Sequence, residues 1–86
     1  MPEIATIGGI RITMYYDDHN PPHFHVEYGE QKAVIDIETA RVQKGALPAK
    51  QLKVVLGWAV MHQNELMENW NLACQDMPLK RIVPYI

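Results

Sequence analysis

The first half of the chain alternates between apolar and polar residues with the period of two that is typical of β-strands. Within residues 10–16, Ile12 and Met14 fall on one face of a predicted strand and Arg11 falls on the other. An apolar run at residues 4–7 is separated from this strand by two glycines, which predict a hairpin because both can adopt positive φ. We therefore expect an antiparallel pair of strands here, with one face directed to the core.

Two further strands are predicted at about residues 23–28 and 32–37. The Gly29-Glu30 dipeptide between them suits a type II′ turn, because glycine occupies the first central position. The cross-strand pairs for such a turn are Phe24 with Ile35 and Val26 with Ala33 on the apolar face, and His23 with Asp36 and His25 with Val34 on the other face. A four-residue loop would instead place His25 opposite Asp36 and His23 opposite Glu38, so both registers bring imidazoles next to carboxylates.

The second half of the chain changes to the period of an amphipathic helix. Pro48 suits the first turn of a helix, where its missing N–H has no bond to lose, and the pattern continues to about Cys74. The apolar positions that recur at three- and four-residue steps are Leu52, Val55, Leu56, Ala59, Leu66, Trp70 and Ala73. We expect one long helix over this range. At about 1.5 Å per residue it would extend roughly 40 Å, so we also expect either an interruption, with Gly57 as the weak point, or an end that overhangs the sheet.

These elements predict an α+β fold, in which a small antiparallel sheet of four to five short strands packs on one long C-terminal helix. A last strand is expected at residues 80–83, and residues 38–45 are expected to form a short turn or an edge segment anchored by Val42. Trp70 is expected in the core, whereas Trp58 lies off the centre of the apolar stripe and is a candidate for a subunit interface. We expect residues 1–86 to form a single domain, and so small a domain favours a homo-oligomer.

Composition and charge restrict the class of protein. Of the 86 residues, 48% are hydrophobic and 21% are charged, as in an ordinary globular domain. The formal charge is −2 without any basic run, so a broad positive surface for nucleic acid is absent, although a small local patch stays open. The single cysteine, Cys74, cannot build an internal disulfide framework. Without a long apolar run or a signal-peptide pattern, we expect a cytoplasmic protein with no membrane partner.

The most unusual chemistry lies in the segment from Asp17 to His25, which contains three of the four histidines of the chain. Its two consecutive prolines fix their own φ angles and direct the segment from a turn into an extended strand. In that strand His23 and His25 share one face, about 6.5 Å apart, with His19 just upstream. The apolar residues that alternate with them face the core, so the strand histidines are displayed together on the second face.

These histidines lead to two alternative predictions. In the first, a helix residue joins the strand histidines, and the imidazoles bind a divalent first-row transition metal such as zinc or nickel. The candidate metal ligands are His19, His23, His25 and His62. An open coordination position would activate water, and the candidate catalytic groups are His23, His25, Glu65 and Asp36. In the second, the strand histidines are structural groups bonded to Asp36, and His62 is a core histidine.

Convergence of His62 with the strand histidines depends on which face of the sheet the helix covers. Alternation assigns the helix to the face of Phe24 and Val26, opposite His23 and His25. The two sets would meet only if the sheet is covered on both sides or if a second subunit covers the other side.

A set of motifs distributed along the chain is recognisable together. The motifs are Met1-Pro2-Glu3-Ile4, Gly9-Ile10, Asp18-His19-Asn20-Pro21-Pro22-His23-Phe24-His25-Val26, Gly45-x-Leu47-Pro48, Glu65-Leu66 and Asn69-Trp70. In this combination, with Pro-Pro-His-Phe-His as the most specific part, the chain resembles the small prokaryotic proteins of the family known as domain of unknown function 4160. The resemblance implies a gene that stands beside that of another small protein, in an arrangement like a toxin–antitoxin pair.

On this resemblance we expect a small cytoplasmic interaction protein of a two-gene, toxin–antitoxin-like module, with a protein partner encoded nearby. The region of His19, His23 and His25 would be its ligand or partner surface. The alternative is a metal-dependent hydrolase or nuclease that uses the histidine cluster. A metal-free ribonuclease with His23 or His25 as acid and base is a third reading, which the acidic net charge disfavours. The sequence leaves open whether the protein is an enzyme.

Overall fold

The computed structural model describes residues 3–16 and 20–82, which form a five-stranded antiparallel sheet and two helices. The elements are β1 (Glu3–Ile7), β2 (Ile10–Thr13), β3 (His23–Tyr28), β4 (Gln31–Asp36), β5 (Val42–Gly45), α1 (Ala49–Met61) and α2 (Gln63–Cys74). Each strand lies beside its neighbour in chain order. The predicted α+β class and the sheet of short antiparallel strands are confirmed. No helix among the described residues has the length and apolar character needed to cross a membrane.

Both hairpins form as their glycine-containing turns predict. Gly8 and Gly9 have φ of +51° and +83°, and Gly29 has the φ of +60° that a type II′ turn requires at its first central position. The register is that of the two-residue turn, and the four-residue alternative is wrong. The observed pairs are Phe24 with Ile35, Val26 with Ala33, His23 with Asp36 and His25 with Val34.

The edges of the sheet differ from the prediction. The predicted edge segment supplies β5, but Val42 is 37% exposed and does not anchor it. Position 45 beside β4 requires glycine, because its φ is +75° and because the Cβ of any other residue would collide with the carbonyl oxygen of Lys32. The predicted last strand is wrong in its described part, since residues 80–82 form no strand. Instead, the N–H of Ile82 donates one hydrogen bond of 2.8 Å to the carbonyl of Ile4 in β1.

The helical region bends, and the prediction of one long helix is wrong. α1 and α2 are separated at His62, whose φ of −113° and ψ of 24° depart from helical values. A straight helix over the same residues would extend about 39 Å. The longest dimension of the described residues is 34 Å, so the bent helical region is shorter than a straight helix would be. Gly57, the predicted weak point, lies inside α1.

The core lies between the helices and the face of the sheet that carries Phe24 and Val26. Both residues are fully buried, as alternation predicts. Trp58 is also fully buried and packs against Phe24 with 6.2 Å between ring centroids, so its predicted place in a subunit interface is wrong. Trp70 is buried, as predicted for a core position. The opposite face of β3 therefore stays outside the core.

A buried asparagine ties the C-terminal segment to α2. The Asn69 side chain is 1% exposed, donates a 2.8 Å hydrogen bond to the carbonyl of Lys80, and accepts one of 2.8 Å from the Lys80 N–H. The two bonds match the donor and acceptor of one backbone residue, as a neighbouring strand would. This contact directs the segment toward β1, where Ile82 is buried.

Candidate functional site

The face of the sheet opposite the helices carries the two strand histidines. His25 lies between Thr13 of β2 and Val34 of β4, and Val34 lies beside Lys44 of β5. His23 and His25 are both half-buried. We refer to the surface formed by Tyr15, His23, His25, Val34 and Lys44 as the histidine face.

Four aromatic rings follow one another along this region. The centroid distances are 4.4 Å from Tyr15 to His25, 5.3 Å from His25 to His23, and 5.2 Å from His23 to Trp70. Because Trp70 belongs to α2, the row of rings connects the helical layer with the histidine face. Each imidazole contacts a ring on two sides and thereby loses rotamer freedom on folding. The histidines are therefore positioned before any ligand binds.

A backbone carbonyl sets the orientation of the His23 ring. Nδ1 of His23 lies 2.8 Å from the carbonyl oxygen of Pro21, which can only accept, so Nδ1 carries the proton and donates this bond. In the neutral ring the lone pair is then on Nε2. Histidines that bind metals commonly donate one ring N–H to a carbonyl in this way. The stiff Pro21-Pro22 segment thus fixes the tautomer as well as the start of the strand.

Asp36 lies opposite His23, as predicted, and its carboxylate is bonded to its own turn. The N–H of Thr39 donates to Oδ1 at 3.0 Å, and the side-chain amide of Gln43 donates to Oδ2 at 3.2 Å. The bond from Thr39, followed by that from Gln43, lowers the pKa of Asp36 below its ordinary value, although desolvation acts in the opposite direction. The carboxylate therefore stabilises the turn before β5, and its role in proton transfer stays a prediction.

Two adjoining depressions form a groove on the histidine face. Their volumes are about 280 and 310 Å³, and both are lined by His25, Val34 and Lys44. The first is also lined by Tyr15, Glu27 and Lys32, and the second by Asn20, Pro21, His23 and Gln43. Ligand pockets in proteins generally enclose roughly 300 Å³ or more, so the joined depressions would accept a small molecule or a few residues of a peptide.

The groove has a local positive character that the net charge of the chain conceals. Lys32 and Lys44 border it, and within residues 3–16 and 20–82 neither lysine forms an ion pair. The acid that lines the groove, Glu27, lies 3.9 Å from the guanidinium of Arg11, which partly neutralises it. Arg11 also lies 3.6 Å from Glu3. Glu3 and Glu27 are thus paired with arginine, Asp36 is bonded to its own turn, and the two ammonium groups attract anions into the groove.

His62 lies in the helical layer rather than on the histidine face. Its Nδ1 is 2.6 Å from Oε1 of Glu65, as their three-residue spacing predicts, and its ring packs against Trp58 at 5.2 Å between centroids. Trp58 belongs to the core, on the other side of the sheet from the strand histidines. In the described part of the chain, no three His, Cys, Asp or Glu side chains are grouped to hold a metal ion. His19, the remaining candidate ligand, lies outside the described residues, so the metal site stays a prediction.

Sequence reasoning does not assign Tyr15, Lys32 or Lys44 to the site, although all three line the groove. Alternation already places Tyr15 on the face opposite the core, but its contact with His25 depends on the pairing of β2 with β3. Lys44 reaches Val34 only because β5 pairs with β4 through an irregularity at Gln43. For Tyr15, the alternation of side chains along the strand indicates the correct face of the sheet. For Lys44, no local pattern indicates the shifted register of β5.

Comparison with known proteins agrees with the motifs. A family model described as Domain of unknown function (DUF4160) matches residues 9–71, which include β2 to β5, α1 and most of α2. No curated protein and no solved structure matches the chain. Since the family match spans well over half of the 86 residues and includes the entire Pro-Pro-His-Phe-His segment, the predicted resemblance is confirmed, and the chain belongs to the family of the DUF4160 domain.

Proposed function

We propose that this protein is a small cytoplasmic interaction protein whose histidine face binds an acidic segment of a protein partner. One observation carries the proposal: the groove combines positioned aromatic rings with two lysines that form no ion pair among the described residues. An acidic peptide segment would place a carboxylate near Lys32 or Lys44 and an apolar side chain against Val34 and Tyr15. The rings supply contact area at little entropic cost, because they are already ordered.

The partner that we propose is the small protein encoded beside this one, as in a toxin–antitoxin-like pair. The family resemblance in the histidine segment supports an adjacent partner gene, and the groove supplies a surface of suitable chemistry. The protein would also self-associate, because a domain this small buries little surface on its own.

Co-expression with the adjacent gene product tests the partner and the surface together. We expect the two proteins to co-elute in size-exclusion chromatography, and we expect His25→Ala and Lys44→Glu each to weaken the complex about tenfold or more. Lys50→Glu on α1 is the matched charge reversal away from the groove, and it should leave the affinity unchanged. Absence of a complex would refute the partner. A complex that His25→Ala and Lys44→Glu do not affect would refute the surface.

A metal-dependent hydrolase or nuclease is a second candidate, and the geometry of His23 favours it. The bond from Nδ1 to the Pro21 carbonyl directs Nε2 as the donor atom, and the His25 ring lies 5.3 Å away. Two imidazoles fit a first-row divalent ion as part of a ligand set, and a bound ion would supply an activated water. His62 lies in the other layer and takes no part in this version of the site.

Elemental analysis separates the two candidates. Untagged protein is supplied with zinc, desalted and analysed beside the His23→Ala and His62→Ala variants. The metal candidate predicts near-stoichiometric zinc that His23→Ala removes and His62→Ala retains. A folded wild-type protein that holds no zinc would refute the metalloenzyme and leave the interaction surface as the account of the histidines.

A further inference from the structure

The outer surface of the two helices, which faces away from the sheet, carries a stripe of exposed residues. Its members recur at short helical steps through both helices and are Lys50, Lys53, Gly57, Val60, Met61, Asn64, Glu68 and Asn71. The stripe is basic at one end, apolar at the centre and acidic or amide-bearing at the other end. α1 contains two lysines and no acidic residue, whereas α2 contains two glutamates and neither lysine nor arginine. Charge is thus separated along the stripe.

The apolar centre of the stripe is unusually exposed. Val60 is 65% exposed and Met61 is 62% exposed, and they are adjacent at the end of α1 where the bend begins. Scattered exposed apolar residues are ordinary on protein surfaces. This pair differs because it lies midway between the basic and the acidic parts of one helical stripe.

The stripe is complementary to itself when a second copy of the chain runs antiparallel to the first. If the two-fold axis passes between Val60 and Met61, Val60 of each chain faces Met61 of the other. The next pairs outward are Gly57 with Asn64, Lys53 with Glu68, and Lys50 with Asn71. Each pair occurs twice, because a two-fold interface is isologous. A parallel copy would instead place like residues opposite each other, including Lys53 against Lys53.

We propose that this stripe is the interface of an antiparallel homodimer, with the two-fold axis between Val60 and Met61. Gly57 leaves open space beside the helix, which permits close approach of the second copy near the axis. Because the helices bend around the sheet, the apolar contact is short, and the long side chains of Lys53 and Glu68 reach across on either side. The interface lies on the other side of the molecule from the histidine face and does not depend on the proposed partner binding.

The local electrostatics of α1 agree with a second copy of the chain at this surface. Lys50 lies in the first turn of α1, where the helix dipole disfavours positive charge, and this turn has no acidic residue. Glu68 lies 3.1 Å from Lys80 within its own chain, with its side chain 53% exposed. Lys53 of the second copy would join this pair, so that each Glu68 would lie between two lysines.

A charge exchange tests both the dimer and its register. Sedimentation velocity over rising concentration should show a weak dimer for the full chain. Lys53→Glu and Glu68→Lys should each weaken it about tenfold, because both copies of the ion pair become like-charge contacts. The double variant Lys53→Glu/Glu68→Lys should restore the wild-type dissociation constant. Lys80→Ala, which removes the internal partner of Glu68, should not abolish the dimer.

Two outcomes would overturn the proposal. A chain that stays monomeric up to about 1 mM, the weakest range of specific binding, has no such interface. A dimer that the double variant does not restore uses another register or another surface.

Cross-linking gives an independent test that does not rely on charge. In a Cys74→Ser background, oxidation of Met61→Cys should yield a disulfide-linked dimer, since this residue lies beside the axis. Glu30→Cys, in the exposed turn between β3 and β4, is the matched control and should stay monomeric. Equal cross-linking of the two variants would refute the location of the interface.

Discussion

Phe24 and His25 are neighbours on β3, yet they contact different parts of the molecule. Phe24 is fully buried against Trp58 of the helical layer, whereas His25 is half-buried between Val34 and the ring of Tyr15. The first side chain contributes through burial, and the second contributes through what it presents to a ligand. A slip of one residue in the register would exchange the two faces. The turn at Gly29 therefore determines which residues stabilise the fold and which are displayed.

Paired alanine substitutions provide the strongest test of this division. Phe24→Ala should lower the free energy of unfolding by about 3–5 kcal/mol, because it leaves a cavity between sheet and helices. His25→Ala should lower it by no more than about 1 kcal/mol, while it weakens partner binding. Urea denaturation followed by tryptophan fluorescence measures both. Equal losses would show that the histidine face is part of the core and would remove the distinction between the faces.

The division between the faces of β3 was available from the sequence, because alternation and a two-residue turn are local rules. Phe24 opposite Ile35 and His23 opposite Asp36 follow directly from the position of Gly29. The position of His62 relative to the strand histidines was not available from these rules. It depends on which layer the helix occupies and on a bend at His62 that no local pattern indicates.

The bend shows the limit of propensity arguments in particular. Gly57 has the poorest helix propensity in the region, yet it lies in open space inside α1 and keeps its helical conformation. The helix bends instead at His62, and Leu66 and Trp70 beyond the bend are buried. Local helix propensity therefore does not decide where the helix bends. The same holds for Lys44, whose place in the groove depends on the pairing of β5.

The hydrogen bonds of Asn69 to Lys80 provide a second test of the residues that stabilise the core. Asn69→Ala should cost about 1–3 kcal/mol, because it leaves the N–H and the carbonyl of Lys80 without their partner in a partly buried site. Asn71→Ala, at an exposed position of the same helix, should change stability by no more than about 0.5 kcal/mol. Denaturation midpoints of the two variants test the difference. A cost at Asn71 as large as that at Asn69 would contradict the role of these hydrogen bonds.

Gly57→Ala probes a position that belongs to neither face of the sheet. An added Cβ meets no atom within 4 Å, and alanine is the better helix former, so the variant should gain about 1 kcal/mol. The measurement is thermal unfolding of a dilute sample, in which self-association makes no contribution. Gly45→Ala is the matched control with the opposite expected sign, because its φ is +75° and its Cβ would collide with the Lys32 carbonyl. A loss of stability at Gly57 would mean that the outer helix surface is not open in the monomer.

The smallest expected effect concerns Asp36, the acid on the histidine side of the sheet. Hydrogen bonds from Thr39 and Gln43 lower its pKa, so its ionised form stabilises the fold above the ordinary pKa of an aspartate, and this contribution is lost as pH falls through the lowered folded pKa. Asp36→Ala should therefore be less stable than wild type at pH 7, by less than about 1 kcal/mol because solvent screens the site. Below about pH 4 the difference should shrink. The control is Asp36→Asn, which keeps an acceptor for Thr39 and removes the charge. If Asp36→Asn is more stable than Asp36→Ala by the same amount at every pH, that amount comes from the hydrogen bond alone. If wild type and Asp36→Asn have parallel pH profiles of stability, the charge of Asp36 does not stabilise the turn.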